Sequence, residues 1–282
     1  MRIFETVYDL KLFLNVERAQ QKSIGLVPTM GALHAGHMAL IRQAADENDV
    51  VVCSVFVNPI QFNKEEDLQN YPRTVSSDLE KLQAGGCDVV FIPSEEEMYP
   101  EPVEENYDFG PLEQVMEGRF RPGHFNGVAV VVRRLFEIVD PEKAYFGQKD
   151  YQQLIIIRKL VQMLNLNIDI VAVPIVREAD GLAMSSRNMR LKPEERDAAP
   201  IIYKTLLYAK AQREKFDTPG HLIKWGTQQL QQQPLFDVEY FDIVDADSLQ
   251  SIKQWSDTKR CILCVAVFVG KIRLIDNIIL FS

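Results

Sequence analysis

His34 and His37, two of the chain's four histidines, stand three residues apart in the segment Val27-Pro28-Thr29-Met30-Gly31-Ala32-Leu33-His34-Ala35-Gly36-His37. If a helix begins here, both rings share one of its faces. Imidazoles donate to phosphate oxygens or protonate leaving groups near neutral pH. Gly31 and Gly36 have no Cβ to hold a phosphate away from the backbone, and a helix start offers free N–H groups and a positive dipole end. One histidine at such a place reads as a cap. A pair on one glycine-bearing turn reads as an anion site.

Three further segments carry polar groups in comparable places. Asn58 and Gln61 follow the apolar pair Phe56-Val57. Neutral amides can hydrogen-bond a hydroxyl or carboxylate without adding charge, though both also read as plain turn residues. Gly147-Gln148-Lys149-Asp150-Tyr151-Gln152-Gln153 follows the short apolar stretch Tyr145-Phe146. Lys149 can neutralise charge that grows on a phosphate in a transition state. Asp150 either caps a helix or holds a ribose, and Gln153 lies one turn further on the same side. In Met184-Ser185-Ser186-Arg187-Asn188 two hydroxyls and a guanidinium form a compact grip for an anion. The turn signal Asp180-Gly181 makes this a loop able to move over a bound nucleotide, although the run alone also reads as a polar loop. Asp78, near a helix start, can help hold Mg2+, but an acid there needs no metal to explain it. The basic stretch from Glu117 to Asn126 can face substrate or phosphates without a defined role.

The elements that must position these groups are legible. Residues 23–28, 49–57, 88–92, 144–146 and 168–173 read as strands, with helices at 36–46, 75–84, 126–139 and 151–164. The continuous run 49–57 suits a strand buried on both faces. This alternation predicts a Rossmann-like parallel sheet with helices on both faces over residues 1–175. The first three segments then lie at the sheet's carboxyl edge, where open α/β folds bind ligands. Beyond Val176 come a polar turn segment at 177–188, helices at 193–214 and 219–232, and strands at 238–244, 261–269 and 271–277. That pattern predicts a smaller C-terminal α+β lid domain over residues 176–282.

Composition narrows the function. In 282 residues, 46% hydrophobic and 25% charged side chains describe an ordinary globular protein. No apolar run reaches the ~20 residues of a membrane span. Glu5 and Asp9 interrupt the start where a signal peptide needs an apolar stretch, so a cytoplasmic location is expected. A net charge of −9 argues against non-specific nucleic-acid binding, so any phosphate site must be local. Cys261 and Cys264 match C-x-x-C within a strand-like run, where positions i and i+3 face opposite ways. They read, with Cys53 and Cys87, as buried structural thiols rather than metal or redox groups. No G-x-G-x-x-G follows the first strand. Gly118 and Gly123 have P-loop spacing, but His124-Phe125 stands where Lys-Ser/Thr is required.

Taken in order, five stretches resemble the pantothenate synthetase (pantoate–β-alanine ligase) family over most of the chain. They are Pro28 to His37, Phe56-Val57-Asn58-Pro59-Ile60-Gln61-Phe62, Tyr71-Pro72-Arg73-Thr74, Gly147 to Gln153, and Arg177 to Arg187. The His-x-Gly-His piece alone marks the wider nucleotidylyltransferase and class I synthetase-like superfamily. The resemblance implies ATP bound by Met30, Gly31, Ala32, Leu33, His34, Ala35, Gly36 and His37. It adds Gly147, Gln148, Lys149 and Asp150, then Val176, Met184, Ser185, Ser186 and Arg187. His37 is the implied proton donor, with His34, Lys149 and Arg187 also catalytic. Pantoate is assigned to Gln61 and Gln153, with Gln61 also near β-alanine and Asn58 grouped with them. Gln148 stands where the family usually has Glu, and Ser77 where some relatives carry a second acid beside the Asp78 position.

The expected reaction joins pantoate to β-alanine through an acyl-adenylate, with ATP and Mg2+, in a homodimer that binds neither nucleic acid nor membrane. Two other readings stand beside it. A nucleotidylyltransferase would move AMP onto a phosphorylated acceptor, for which neutral Gln61 and Gln153 are poorly suited. A non-catalytic ATP-binding module would need neither His37 nor Lys149. The ligase reading expects the four chemistry-bearing stretches to converge on the triphosphate.

Overall fold

The computed structural model describes residues 1–62 and 65–281. Six strands, β1 (Arg2–Phe4), β2 (Ile24–Thr29), β3 (Val50–Val55), β4 (Val89–Phe91), β5 (Lys143–Gly147) and β6 (Asp169–Val173), form one sheet in the order β1-β4-β3-β2-β5-β6. Every pairing is parallel. All six residues of β3 are buried, which fits a run of valines covered on both faces. Helices Ala35–Glu47, Val75–Ala84, His124–Val139 and Tyr151–Met163 connect the strands. The progression reverses at β2, which pairs with β3 on one side and β5 on the other. Such a switch point opens a crevice beyond the carboxyl ends of the strands.

The first strand and the helix Val7–Ala19 lie outside the sequence reading. That helix buries Leu10 and Leu14 but leaves Tyr8 and Val16 exposed, so its apolar pattern does not mark a single face. Its start is nevertheless encoded, because the Thr6 side chain accepts from the Asp9 N–H.

A second sheet is antiparallel, in the order β7 (Phe236–Asp245), β8 (Cys261–Val269), β9 (Ile272–Phe281). Helices Pro193–Ala198, Ile201–Ala211 and Pro219–Gln231 accompany it. The single helix expected over 193–214 is broken at Pro200, which has no N–H for a helical bond and clashes with the carbonyl one turn back. Leu206, Leu222, Phe241, Leu263 and Val265 belong to the core here. All four cysteines are buried and free of disulfides. Burial pushes the Cys87 and Cys261 thiols up to about 12, so they stay protonated.

The chain divides into two compact units. The first holds Met1–Phe109, Phe120–Gln148 and Gln153–Pro174; the second holds Gly110–Arg119, Lys149–Gln152 and the chain from Ile175 onward. The sequence pattern assigned everything before residue 176 to one domain, whereas two short inserts belong with the C-terminal sheet. Specific bonds account for this. Glu117 pairs with Arg273 of β9, and the Tyr151 hydroxyl donates to the Ala246 carbonyl at 3.0 Å.

Candidate active site

In the first unit the loop after β2 is fixed from below. Gly31 and Ala32 both take left-handed conformations, at φ 78° and 51°, which costs about 1 kcal/mol at the alanine. Asp78, only 1% exposed, holds the loop by accepting the N–H groups of Ala32 at 2.9 Å and Leu33 at 2.8 Å. The Thr74 hydroxyl donates to the same carboxylate at 3.0 Å, and Lys81 Nζ donates to the Leu33 carbonyl at 2.7 Å. The sequence reading offered Asp78 as a Mg2+ ligand. Its oxygens are engaged by loop amides and a hydroxyl, so it does not fit that role and acts as a buried loop clamp. For the same reason the Ala32 and Leu33 amides are turned to Asp78 rather than offered to a phosphate.

The helix Ala35–Glu47 begins with His34 as its cap. His34 Nδ1 accepts from the Gly36 N–H at 3.1 Å, and His37 Nδ1 accepts from the His34 N–H at 3.2 Å. A backbone N–H only donates, so Nδ1 of each ring carries no proton and the neutral tautomer bears hydrogen on Nε2. The ring centroids are 4.1 Å apart. In that tautomer each ring has one N–H, at Nε2, a donor of the kind an oxyanion or phosphate accepts from.

Next to it, Gln61 is 8% exposed and reaches the first loop through Nε2, 3.1 Å from Met30 Sδ. Its main-chain carbonyl lies 3.0 Å from His124 Nδ1. The 3-10 turn Pro59–Gln61 packs against Gly127 so closely that a Cβ there would sit 2.7 Å from Gln61 Cα. Asn58 caps this turn and is 1% exposed. Its amide oxygen accepts from Ile60 N and Tyr99 Oη, and its amide nitrogen donates to Gly127 O and Gln61 Oε1. Those four bonds fill an amide's capacity. Asn58, grouped with the substrate contacts from sequence, spends its amide on these four protein bonds, one of them to Gln61. Gln153 is half-buried near the start of its helix, while its neighbour Gln152 is spent on the Leu112 and Val115 carbonyls and the Glu117 N–H.

β5 ends at Gly147, and the 3-10 turn Gln148–Asp150 follows. Lys149–Gln152 belong to the second unit. There Lys149, Ser185, Arg187 and Asp276 line one small cavity. The loop carrying the serines is tied down at both ends: Met184 N–H donates to the Val176 carbonyl at 3.0 Å, and the Ser185 hydroxyl caps the turn Ser186–Arg190 by accepting from Arg187 N–H. Between them Gly181, at φ +96°, makes the reversal that Asp180-Gly181 announced. Arg196 holds Glu178 and Asp180, and its bond draws the Asp180 carboxyl below its usual range.

Residues that sequence alone did not single out fix Lys149. Asn277 Nδ2 donates to the Lys149 carbonyl at 2.9 Å. The adjacent Asp276, 4% exposed, takes a bidentate pair from Arg177 at 2.6 and 2.9 Å, while the Arg177 guanidinium stacks 3.5 Å above the Tyr203 ring. Asp276 and Asn277 lie in an apolar strand run, where two adjacent polar residues were the available signal. Asp150 is half exposed, with Lys149 Nζ 3.9 Å from its carboxylate. Among the described residues no group of three or more His, Cys, Asp or Glu side chains is placed to hold a metal, and no helix is long and apolar enough to cross a membrane.

Comparison with known proteins gives this arrangement a family. The Pantoate-beta-alanine ligase family profile matches residues 2–279. A pantothenate synthetase of Porphyromonas gingivalis is 53% identical over 278 residues, covering 99% of each chain, and one of Bacteroides fragilis is 49% identical over 278 residues, covering 99% of this chain and 98% of its own. The crystal structure of pantothenate synthetase from Thermus thermophilus superposes with a TM-score of 0.93 at 43% identity over 100% of both chains. The pantoate-beta-alanine ligase of Francisella tularensis, complexed with beta-gamma ATP and beta-alanine, gives a TM-score of 0.81 at 35% identity, covering 99% of this chain and 98% of its own. Profile, relatives and fold agree over nearly the full length, and the chain belongs to the pantoate–β-alanine ligase family.

Proposed function

We propose that this chain condenses pantoate with β-alanine, using ATP, to give pantothenate, AMP and pyrophosphate. A carboxylate oxygen of pantoate forms a bond to the α-phosphorus as the bond to the pyrophosphate oxygen breaks. The β-alanine nitrogen then attacks the acyl carbon, AMP leaves with the bridging oxygen, and the amine gives up a proton. No covalent enzyme intermediate is needed. The residues contribute position, charge neutralisation and exclusion of water from the acyl-adenylate.

The observation that carries this reading is the fixed pair His34 and His37, each with Nδ1 bonded to a backbone N–H, so that Nε2 carries the hydrogen that meets developing phosphate charge. Gln61 and Gln153 grip the acid without adding charge. Lys149 and Arg187 neutralise the phosphates, with Ser185 and Ser186 as further donors, and the backbone at Gly36 and Gly147 admits the nucleotide closely. Mg2+ belongs to the proposal as the counter-ion of the triphosphate rather than as a ligand of Asp78. A cytoplasmic homodimer completes it, and sedimentation of the purified chain checks the dimer.

Positional isotope exchange in labelled ATP tests the chemistry. Scrambling of oxygens within ATP should require pantoate, and amide formation should require β-alanine. Absence of pantoate-dependent scrambling would overturn the ligase reading, while scrambling without amide formation would favour a nucleotidylyltransferase.

A further inference from the structure

Amide side chains can be turned end for end, and which end faces a substrate decides what the substrate must offer. Around Asn58 that choice is settled by backbone groups whose roles cannot be exchanged. The Ile60 N–H, a donor only, lies 3.3 Å from Oδ1. The Gly127 carbonyl, an acceptor only, lies 3.0 Å from Nδ2. Asn58 therefore has its oxygen on one side and its NH2 on the other. The Tyr99 hydroxyl, 2.9 Å from Oδ1, must donate to it, and Gln61 Oε1, 3.2 Å from Nδ2, must accept.

We infer that Tyr99, through Asn58, is a positioning residue that fixes Gln61 with its NH2 as the end offered to substrate, so that this position selects hydrogen-bond acceptors such as a carboxylate or hydroxyl oxygen. The inference rests on the reading that Gln61 contacts the acid. Gln61 Oε1 is committed to Asn58, and among the described residues Nε2 meets only the weakly accepting thioether of Met30 at 3.1 Å, a partner that an anionic or hydroxyl oxygen replaces with gain. Tyr99 is suited to its end of the relay. It follows the short helix Glu95–Met98, packs edge-on against Phe56 with ring centroids 6.1 Å apart, and has its phenol pushed upward by burial and by Glu95 and Glu105. It stays a donor throughout the physiological range.

The test is steady-state kinetics on Tyr99→Phe, which keeps the ring and removes the donor. The pantoate KM should rise about three- to tenfold, the range one uncharged hydrogen bond supports, with the ATP KM and thermal midpoint close to those of the parent. A pantoate KM unchanged in Tyr99→Phe, or an equal rise for ATP, overturns the relay. The direction of the amide is tested by Asn58→Asp against Asn58→Ala. A carboxylate at 58 cannot donate to Gln61 Oε1 and forces the glutamine to turn its NH2 away from the acid, so Asn58→Asp should raise the pantoate KM further than Asn58→Ala. Equal effects would overturn the polarity argument. The parent enzyme keeps the two readings apart, since failure of the ligase assignment shows as no pantoate-dependent AMP formation before any variant is made.

Discussion

At the scale of single residues, one histidine here does two things, and they can be separated. His34 caps a helix with Nδ1 and, in the proposed function, gives its Nε2–H to phosphate. In His34→Asn the amide oxygen stands near the Nδ1 position and can still cap the helix, but nothing replaces Nε2–H. The thermal midpoint should be nearly unchanged, whereas kcat/KM for ATP should fall about 100- to 1000-fold, in line with loss of one preorganised donor. His34→Ala should lose activity and also about 1 kcal/mol of stability, the usual worth of an N-cap. Chemical denaturation beside initial rates distinguishes the two. The histidine pair, Lys149 and Arg187 stand out in the sequence as candidates because charged or titratable groups in glycine-marked turns and compact polar runs are rare enough to notice. Asp78 and Asn58 were legible as important but not in their roles. A buried acid looks the same in a string of letters whether it binds a cation or two backbone amides, and only the distances to Ala32 and Leu33 decide it. Tyr99, Asp276 and Asn277 act through other residues, and sequence does not display a partner so far along the chain.

At the scale of elements, the parallel strands were readable because burial on both faces demands unbroken apolar runs, and β3 satisfies that at every position. The helix Val7–Ala19 was missed because its exposed face carries Tyr8 and Val16, which erases the contrast that periodicity relies on. Contact between elements is what holds Gln61 in place. Helix His124–Val139 meets the turn Pro59–Gln61 at Gly127, where an added Cβ would lie 2.7 Å from both Gln61 Cα and the Ile60 carbonyl. Both are backbone atoms, which no rotamer change can move aside. Gly127→Ala should therefore destabilise the protein by about 2 kcal/mol, as overpacking of a tight contact does, despite alanine's higher helix propensity. Urea denaturation should show the loss. The pantoate KM should rise with it, because the shift displaces Gln61, while a variant more stable than the parent would contradict the packing argument.

At the scale of the whole molecule, the sequence showed two folding patterns but not that the second unit includes two pieces cut from the first. The inserts are short, and the bonds that recruit them span long separations. Glu117 accepts two bonds from Arg273, at 2.7 and 2.8 Å, and a third from the Tyr240 hydroxyl at 2.7 Å. Glu239 holds the other side of the same guanidinium. Arg273 is thus a largely buried cation kept charged by two carboxylates, one of them supplied from residue 117. Glu117→Gln keeps the shape but removes that charge, and with Glu239 still present the cost should be about 2 kcal/mol, below the value for leaving a buried ion with no partner. A C-terminal fragment beginning at Ile175 loses more. It lacks the Glu117 carboxylate, the Tyr151 bond to Ala246 and the Lys149 carbonyl that Asn277 occupies, so it should show no cooperative thermal transition by circular dichroism. The same fragment fused through a short linker to residues 110–119 should regain part of that transition, and Glu117→Gln in the fusion should abolish the gain. Cooperative unfolding of the bare fragment would show instead that the C-terminal sheet is an autonomous module and that the inserts only decorate it.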